Sequence, residues 1–261
     1  MEKVRVITLK EWGEVFRHRL VLFTVIFLPL LFAGIALVTV FTTRGVEIDD
    51  ASIAELTNEL NLAECSEGEG GACFQLYLAT QFLLMFMLVP VIIPVTIASY
   101  SVVGEKTTRS LEPLLATPIT TSELIAGKAL AAVIPAILGT WLGFLIYLVG
   151  VMIAQPALLP GLLNGFWLFA IFVVGPLLSL LAVSFALMIS SRVTDPRAAE
   201  QLSTVVILPL ILIIVGQSIG LFTIDQQAVF IFAGILVILD IGLLYLASQV
   251  FQRENILVKW K

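Results

Sequence analysis

Residues able to carry out bond chemistry are scarce in this sequence. His18 is the one histidine. The sequence lacks the His-Glu-x-x-His motif that many metal-dependent hydrolases use to bind zinc. It also lacks a serine, histidine and aspartate set within one apolar stretch, which a serine hydrolase would need. A phosphate-binding Gly-x4-Gly-Lys-Ser/Thr loop is also missing, since Gly127-Lys128 is followed by Ala129. We therefore predict a protein that is not an enzyme, with no catalytic residue, no metal site and no cofactor of its own.

The most specific string of the chain lies in residues 104–120. Ser110 can cap a short helix, and Glu112 then lies in its first turn, where a carboxylate suits the positive end of the helix dipole. Thr120 and Glu123 form a capping box that begins the next helix. Three leucines share one face at helical spacing: Leu111, Leu114 and Leu115.

A short amphipathic helix with charges beside it is typical of a segment that docks into a groove on a partner. The leucines would bind in the apolar groove, and the charged residues would fix the position of the helix along it. We predict that the contact includes Gly104, Glu105 and Lys106 in addition to the capped helix. The alternative is an ordinary connecting loop.

A second segment could contact the same partner. Asp195 is suited to cap a helix whose first residue is Pro196. Arg197 and Glu200 follow in the first turns. These residues either touch the partner or only begin the next apolar helix.

Three further residues leave two interpretations each. Asp240 is the one ionisable group well inside an apolar run; it is either a substrate or proton site, or a protonated side chain bonded to another helix. Cys65 and Cys73 are the two cysteines of the chain. They form a disulfide if their loop is outside the cytoplasm, or they are unrelated thiols.

The apolar composition predicts that these residues are positioned by membrane-spanning helices. Hydrophobic residues make up 59% of the 261 residues, charged residues only 13%, and the mean hydropathy is +1.08. A soluble domain carries about 25% charged residues, so we predict an all-α integral membrane protein with a single transmembrane domain over residues 1–261. The sequence has no basic face for a nucleic acid.

Stretches without charge predict six membrane-spanning helices. Each must contain roughly 20 apolar residues to cross the hydrocarbon core. The stretch 129–191 is long enough for two helices, with a turn at 155–161. The pair Pro90 and Pro94 predicts a bend in the second span. The charge-poor stretches are 20–43, 70–104, 129–191, 201–224 and 226–252.

Basic residues predict the orientation. Of the 14 lysines and arginines, 13 fall on one side if the spans alternate, and only Arg44 falls on the other. Basic loops remain cytoplasmic. We therefore expect both termini in the cytoplasm and the acidic loop 42–72 outside.

Residues 3–19 are too charged to cross a membrane. Leu9, Trp12 and Phe16 recur at helical spacing, while Lys10 and Glu14 fall elsewhere on the helix. This pattern predicts an interfacial helix in contact with membrane lipid.

The segment 104–120 resembles the cytoplasmic coupling-helix signature of type-2 ABC exporter permeases. The resemblance rests on Glu105-Lys106, Ser110-Leu111-Glu112, Leu114-Leu115 and Thr117-Pro118, followed by Gly127-Lys128. The N-terminal helix with Lys10-Glu11, the large outer loop and the six spans extend it over the whole chain.

The resemblance implies an exporter permease in the cell membrane that performs no bond chemistry. It would pair with a second copy or a related permease. ATP and Mg²⁺ would bind to separate ABC ATPase subunits, whose closure would move the coupling segment. Two other functions fit the residues, namely an ion-gradient-driven carrier or channel that uses Asp240, and a membrane scaffold.

Overall fold

A computed structural model describes residues 2–44, 70–107, 119–222 and 224–250, and every regular element in these ranges is helical. The helices are α1 (Glu2–Val15), α2 (Arg19–Thr42), α3 (Gly70–Phe86), α4 (Val89–Thr107), α5 (Thr121–Ala154), α6 (Leu159–Leu162), α7 (Gly165–Phe169), α8 (Gly175–Ser190), α9 (Pro196–Ser203), α10 (Leu208–Ser218) and α11 (Gln226–Val250).

Six helical segments in these ranges are long and apolar enough to cross a membrane, which confirms the predicted number. The turn expected at 155–161 is also present, because α5 ends at Ala154 and a 3₁₀ turn follows over Pro156–Leu158. The segments are Val21–Thr42, Phe74–Glu105, Thr121–Ala154, Gly165–Ser190, Pro196–Ser218 and Gln226–Gln249.

Three of these spans are interrupted just before a proline. The turn at 87–88 separates α3 from α4, a π-helical turn (Ala170–Val174) separates α7 from α8, and a 3₁₀ turn (Thr204–Ile207) separates α9 from α10. Each interruption ends two residues before a proline: Pro90, Pro176 and Pro209. A proline lacks the N–H that would continue the helical bonding and its ring crowds the preceding turn. The predicted bend in the second span is thus a break that precedes Pro90.

The second span lies at the centre of the fold. In its most apolar window 78% of the residues are buried, against 22% in the first and last spans. Helix α4 packs most extensively against α8 and also contacts α5 and α9, while α5 carries α1 and α2 on its other sides. Helix α4 therefore contacts most of the other helices.

Close approach of α2 and α5 depends on a glycine. A Cβ atom at Gly143 would lie 3.0 Å from Pro29 Cβ and 3.1 Å from Phe86 Cε1. These distances are shorter than a normal van der Waals contact, so a larger residue would separate the two helices.

Helix α1 covers most of the predicted 3–19 segment. Its buried residues are Ile7, Thr8, Glu11 and Val15, and Leu9 is 52% exposed. The helix lies against α5 and α4. Its predicted place at the membrane interface, and the orientation of the termini, stay predictions.

Candidate functional site

Five polar side chains from three helices meet in the interior. Lys10 and Glu11 come from α1, Ser101 and Glu105 from the last two turns of α4, and Lys128 from the start of α5. We call this group the ion-pair cluster. Glu11, Glu105 and Lys128 are 1%, 2% and 3% exposed, which is rare for charged residues unless they are paired.

The Lys128 ammonium is the centre of the cluster. Its Nζ lies 2.7 Å from Glu11 Oε1 and 2.8 Å from Glu105 Oε2, and it donates to Ser101 Oγ at 2.8 Å. A lysine has three donors; two of them form hydrogen bonds with Glu11 and Ser101, and Glu105 is held by an ion pair. The Ser101 hydroxyl in turn donates to the second oxygen of Glu11.

Lys10 balances the remaining charge. Its Nζ lies 2.6 Å from Glu105 Oε1 and 3.5 Å from Glu14 Oε1, at a half-exposed edge of the cluster. Burial by itself lowers the pKa of Lys10, but the hydrogen bond and charge of Glu105, aided by Glu11 and Glu14, outweigh it. The pKa of Lys10 therefore lies above its ordinary value of 10.5, and two lysines match the two buried glutamates.

Such a cluster holds the three helices in one arrangement. Each buried ion costs several kcal/mol of lost hydration, which only good geometry and full hydrogen bonding offset. Removing one partner would leave an unpaired buried charge and cost about 3–5 kcal/mol. A displacement of one helix relative to the other two is therefore strongly opposed.

The residue before Lys128 allows α1 to come close enough. A Cβ atom on Gly127 would lie 2.6 Å from Ile7 Cγ2 and 2.7 Å from Ile7 Cβ. The Thr8 hydroxyl donates to the carbonyl oxygen of Gly127 at 3.2 Å, and the Trp12 indole N–H donates to that of Ala131 at 2.9 Å. Backbone contacts thus align α1 on α5 beside the ion pairs.

Helix α5 begins at the predicted capping box. The Thr120 side chain accepts from the Glu123 backbone N–H at 3.3 Å, and Glu123 Oε2 accepts from the Thr120 backbone N–H at 2.8 Å. Lys3 of α1 lies 3.6 Å from the same carboxylate. The capping box predicted from the sequence is confirmed.

The predicted docking segment is only partly described. Gly104 and Glu105 lie in the last turn of α4, and Glu105 points into the ion-pair cluster. Lys106 also belongs to α4. Residues 108–118 lie outside the described ranges, so the docking role of Ser110, Leu111, Glu112, Leu114 and Leu115 stays a prediction.

The second predicted contact segment is helix α9. Asp195 caps it as expected and accepts from the Arg197 backbone N–H at 3.2 Å. Glu200 accepts a hydrogen bond from the buried Thr96 hydroxyl at 2.9 Å, so it links α9 to α4. Asp195 and Arg197 are exposed, and a contact of either with a partner stays a prediction.

Asp240 is buried in the middle of α11. It is 3% exposed, and within the described ranges no hydrogen-bond partner reaches either carboxylate oxygen. Helix α11 packs on α8, where the hydroxyls of Ser179 and Ser184 are also buried and have no hydrogen-bond partner among the described residues. Cys65 lies outside the described residues, so its pairing with Cys73 stays a prediction.

Sequence reasoning found the four charged members of the cluster but neither Ser101 nor the pairing. Lys10-Glu11, Glu105 and Gly127-Lys128 are separate motifs, and Glu11 and Lys128 are 117 positions apart. The available signal was charge at the edge of an apolar span, because a lysine there requires a carboxylate nearby. Which carboxylate it meets depends on how the helices pack.

A known protein family matches most of this sequence. Residues 5–255 match the family described as ABC-2 family transporter protein. No curated protein matches the chain. The family match spans nearly the whole sequence and includes all six spans and the ion-pair cluster, so the chain belongs to the ABC-2 family and is a multi-pass membrane permease of an ABC transporter.

Proposed function

We propose that this permease is the membrane half of an ATP-driven exporter in the cell membrane, with both termini in the cytoplasm. A separate ABC ATPase subunit binds ATP and Mg²⁺ and docks on the leucine face of residues 104–120. The permease pairs with a second copy or a related permease and carries out no bond chemistry. The observation that carries this proposal is the ion-pair cluster beside that segment.

The cluster supports coupling because it connects the two helices that flank the segment. Glu105 lies just before residues 108–118, and Lys128 lies within the first turns of the helix that follows them. Their 2.8 Å ion pair joins α4 to α5, and Glu11 joins α1 to both. A push on the segment therefore moves three helices as one body, and α4 carries the motion to the centre of the bundle.

Co-purification tests the proposal. The tagged permease is isolated from its native membranes, and MgATP hydrolysis in the eluate is measured. We expect a stoichiometric ATPase subunit with the wild-type chain and its loss from the variant Leu111→Asp/Leu114→Asp/Leu115→Asp, because charges on the apolar face prevent docking. Arg192→Ala in the other inner loop is the control, since Arg192 is exposed, and it should retain the ATPase.

Two outcomes would contradict the proposal. One is a wild-type permease that transports without any ATP-hydrolysing subunit. The other is full retention of the ATPase by the triple aspartate variant, provided that this variant elutes as a monodisperse particle.

An ion-gradient-driven carrier is the second candidate, since Asp240 is a buried carboxylate without a partner in the described ranges. A carrier of this kind predicts that Asp240→Asn abolishes transport while ATP depletion leaves it intact. Our proposal predicts that ATP depletion stops transport. It also predicts that Asp240→Asn leaves the amount of co-purified ATPase unchanged.

A further inference from the structure

An apolar groove lies on the outer surface of the bundle where α1, α2 and α5 meet. It has a volume of about 480 Å³. Trp12 and Phe16 close one end, and Ile26, Leu30, Leu138 and Leu142 line its sides. The last four side chains are 45–59% exposed, so the groove is open to the surroundings of the bundle.

The groove has the length of one lipid leaflet. The α5 residues that line it run from Ile134 to Ile146, over which the helix rises about 18 Å. This rise is about half of the ~30 Å hydrocarbon thickness of a bilayer. On the opposite wall the lining residues of α2 run from Val25 to Leu30. One acyl chain that enters at Phe16 would fill the groove from end to end.

Positive charge marks the Phe16 end. Arg17 and Arg19 follow Phe16 directly, and both are exposed. No carboxylate of the described ranges forms an ion pair with either arginine. The Trp12 N–H is occupied by the Ala131 carbonyl, so the indole borders the groove as an apolar surface.

We propose that this groove is a binding site for an anionic phospholipid. One acyl chain lies between α2 and α5, and the phosphate and the anionic headgroup lie on Arg17 and Arg19. Arginine suits phosphate because its planar donors bind two oxygens at once, and basic pockets between membrane helices bind such headgroups. The lipid would fill the space beside the helix that carries Lys10 and Glu11, and this site does not depend on ATP coupling.

Quenching by brominated lipids tests the proposal. The full-length permease is placed in nanodiscs that contain either dibromo-phosphatidylglycerol or dibromo-phosphatidylcholine as a minor component. The fluorescence of Trp12 is obtained as the difference between wild type and Trp12→Phe, because the chain has four tryptophans. We expect quenching at a much lower mole fraction of the anionic lipid, with each arginine contributing about fivefold.

Two variants separate the headgroup from the acyl chain. Arg17→Gln/Arg19→Gln should remove the preference for the anionic lipid. Leu138→Phe/Leu142→Phe narrows the groove and should reduce quenching by both lipids. The matched control, Leu130→Phe/Leu145→Phe, changes two leucines of α5 that are 43% and 57% exposed but do not line the groove, and it should behave as wild type.

Even if a variant fails to fold, quenching of the wild-type protein by the two brominated lipids tests whether the groove prefers the anionic lipid. Equal quenching by the two lipids would overturn the proposal. So would protection of Trp12 from both lipids in a particle of dimeric mass, because a second copy of the chain would then occupy the groove.

Discussion

A single lysine organises the polar interior of this permease. The sequence shows Lys128 next to a glycine at the beginning of an apolar run, and the family resemblance draws attention to the pair. It cannot show that the ammonium lies 2.7 Å from Glu11 and 2.8 Å from Glu105, because those contacts depend on the packing of three helices. Residue types near a span were predictable, whereas their partners were not.

Lys128→Met should destabilise the protein more than any exposed charge deletion. It leaves Glu11 without its ammonium partner, and loss of one member of a buried pair costs about 3–5 kcal/mol. We expect the melting temperature in detergent to fall by about 10 °C. The measurement is a thermal unfolding curve followed by gel filtration.

Lys3→Met is the matched control. Lys3 pairs with Glu123 at 3.6 Å, with side chains 50% and 27% exposed, and exposed pairs contribute at most about 1 kcal/mol. Its curve should nearly coincide with that of wild type. If the two lysine variants melt together, the buried cluster does not hold the helices.

The pH dependence of the Lys10 contact follows from its raised pKa. A lysine whose pKa is higher in the folded state stabilises that state fully below the unfolded value of about 10.4. The stabilisation is lost as the pH rises through the folded value, which lies above 10.5. The difference in melting temperature between wild type and Lys10→Met should therefore be constant from pH 6 to 9 and shrink only above that window. A difference that changes near pH 7 would contradict this assignment.

At the scale of elements, signals carried by a few adjacent residues predicted the helix ends correctly. The capping box at Thr120, the Asp195 cap and the turn after Ala154 are all where the sequence predicts them, because each depends on a few adjacent residues. The side of α1 that packs on the protein could not be predicted in this way, because Glu11 is buried there against Lys128 of another helix.

Gly127 should be intolerant of even a methyl group. Gly127→Ala places a Cβ atom 2.7 Å from Ile7 Cβ, which belongs to the stem of that side chain and cannot move without α1. We expect a loss of about 1–3 kcal/mol. The double variant Gly127→Ala/Ile7→Ala should recover part of it, as measured by melting temperature.

Gly13 provides the comparison for this substitution. A Cβ atom at Gly13 meets nothing within 4 Å, and alanine is the better helix former, so Gly13→Ala should be neutral or slightly stabilising. Equal losses for the two alanine variants would show that close contact of α1 with α5 is unimportant.

At the scale of the whole molecule, hydropathy predicted the number of spans, but it placed the fifth at 201–224 where the structure has Pro196–Ser218. It did not predict that the second span lies at the centre, because lipid-facing and protein-facing helices are equally apolar. Nor did it identify Glu105 as a buried anchor, since a glutamate after an apolar run also fits an exposed docking contact. The structure places Glu105 in the ion pairs at the end of α4, and contact of the leucines with the ATPase stays a prediction.

This placement of Glu105 leads to a prediction for Glu105→Gln. The variant retains the leucine face, so the ATPase should still co-purify. Because the amide pairs poorly with Lys10 and Lys128, motion of the segment should pass less efficiently to the bundle. We expect stoichiometric binding of the ATPase with a transport rate per ATP hydrolysed at least severalfold below that of wild type. Unchanged transport per ATP in a folded variant would show that the anchor plays no part in coupling.

Photo-crosslinking tests most directly whether residues 104–120 hold the ATPase. A benzophenone amino acid is placed at Leu111 or Leu114 in cells that express the native ATPase, with Leu145 on the exposed surface of α5 as the control. We predict adducts between the permease and the ATPase from the first two positions and none from the control. The crosslinker is also placed at Arg197. An ATPase adduct from Arg197 but from neither leucine, or no ATPase adduct at all, would contradict docking of the ATPase on residues 104–120.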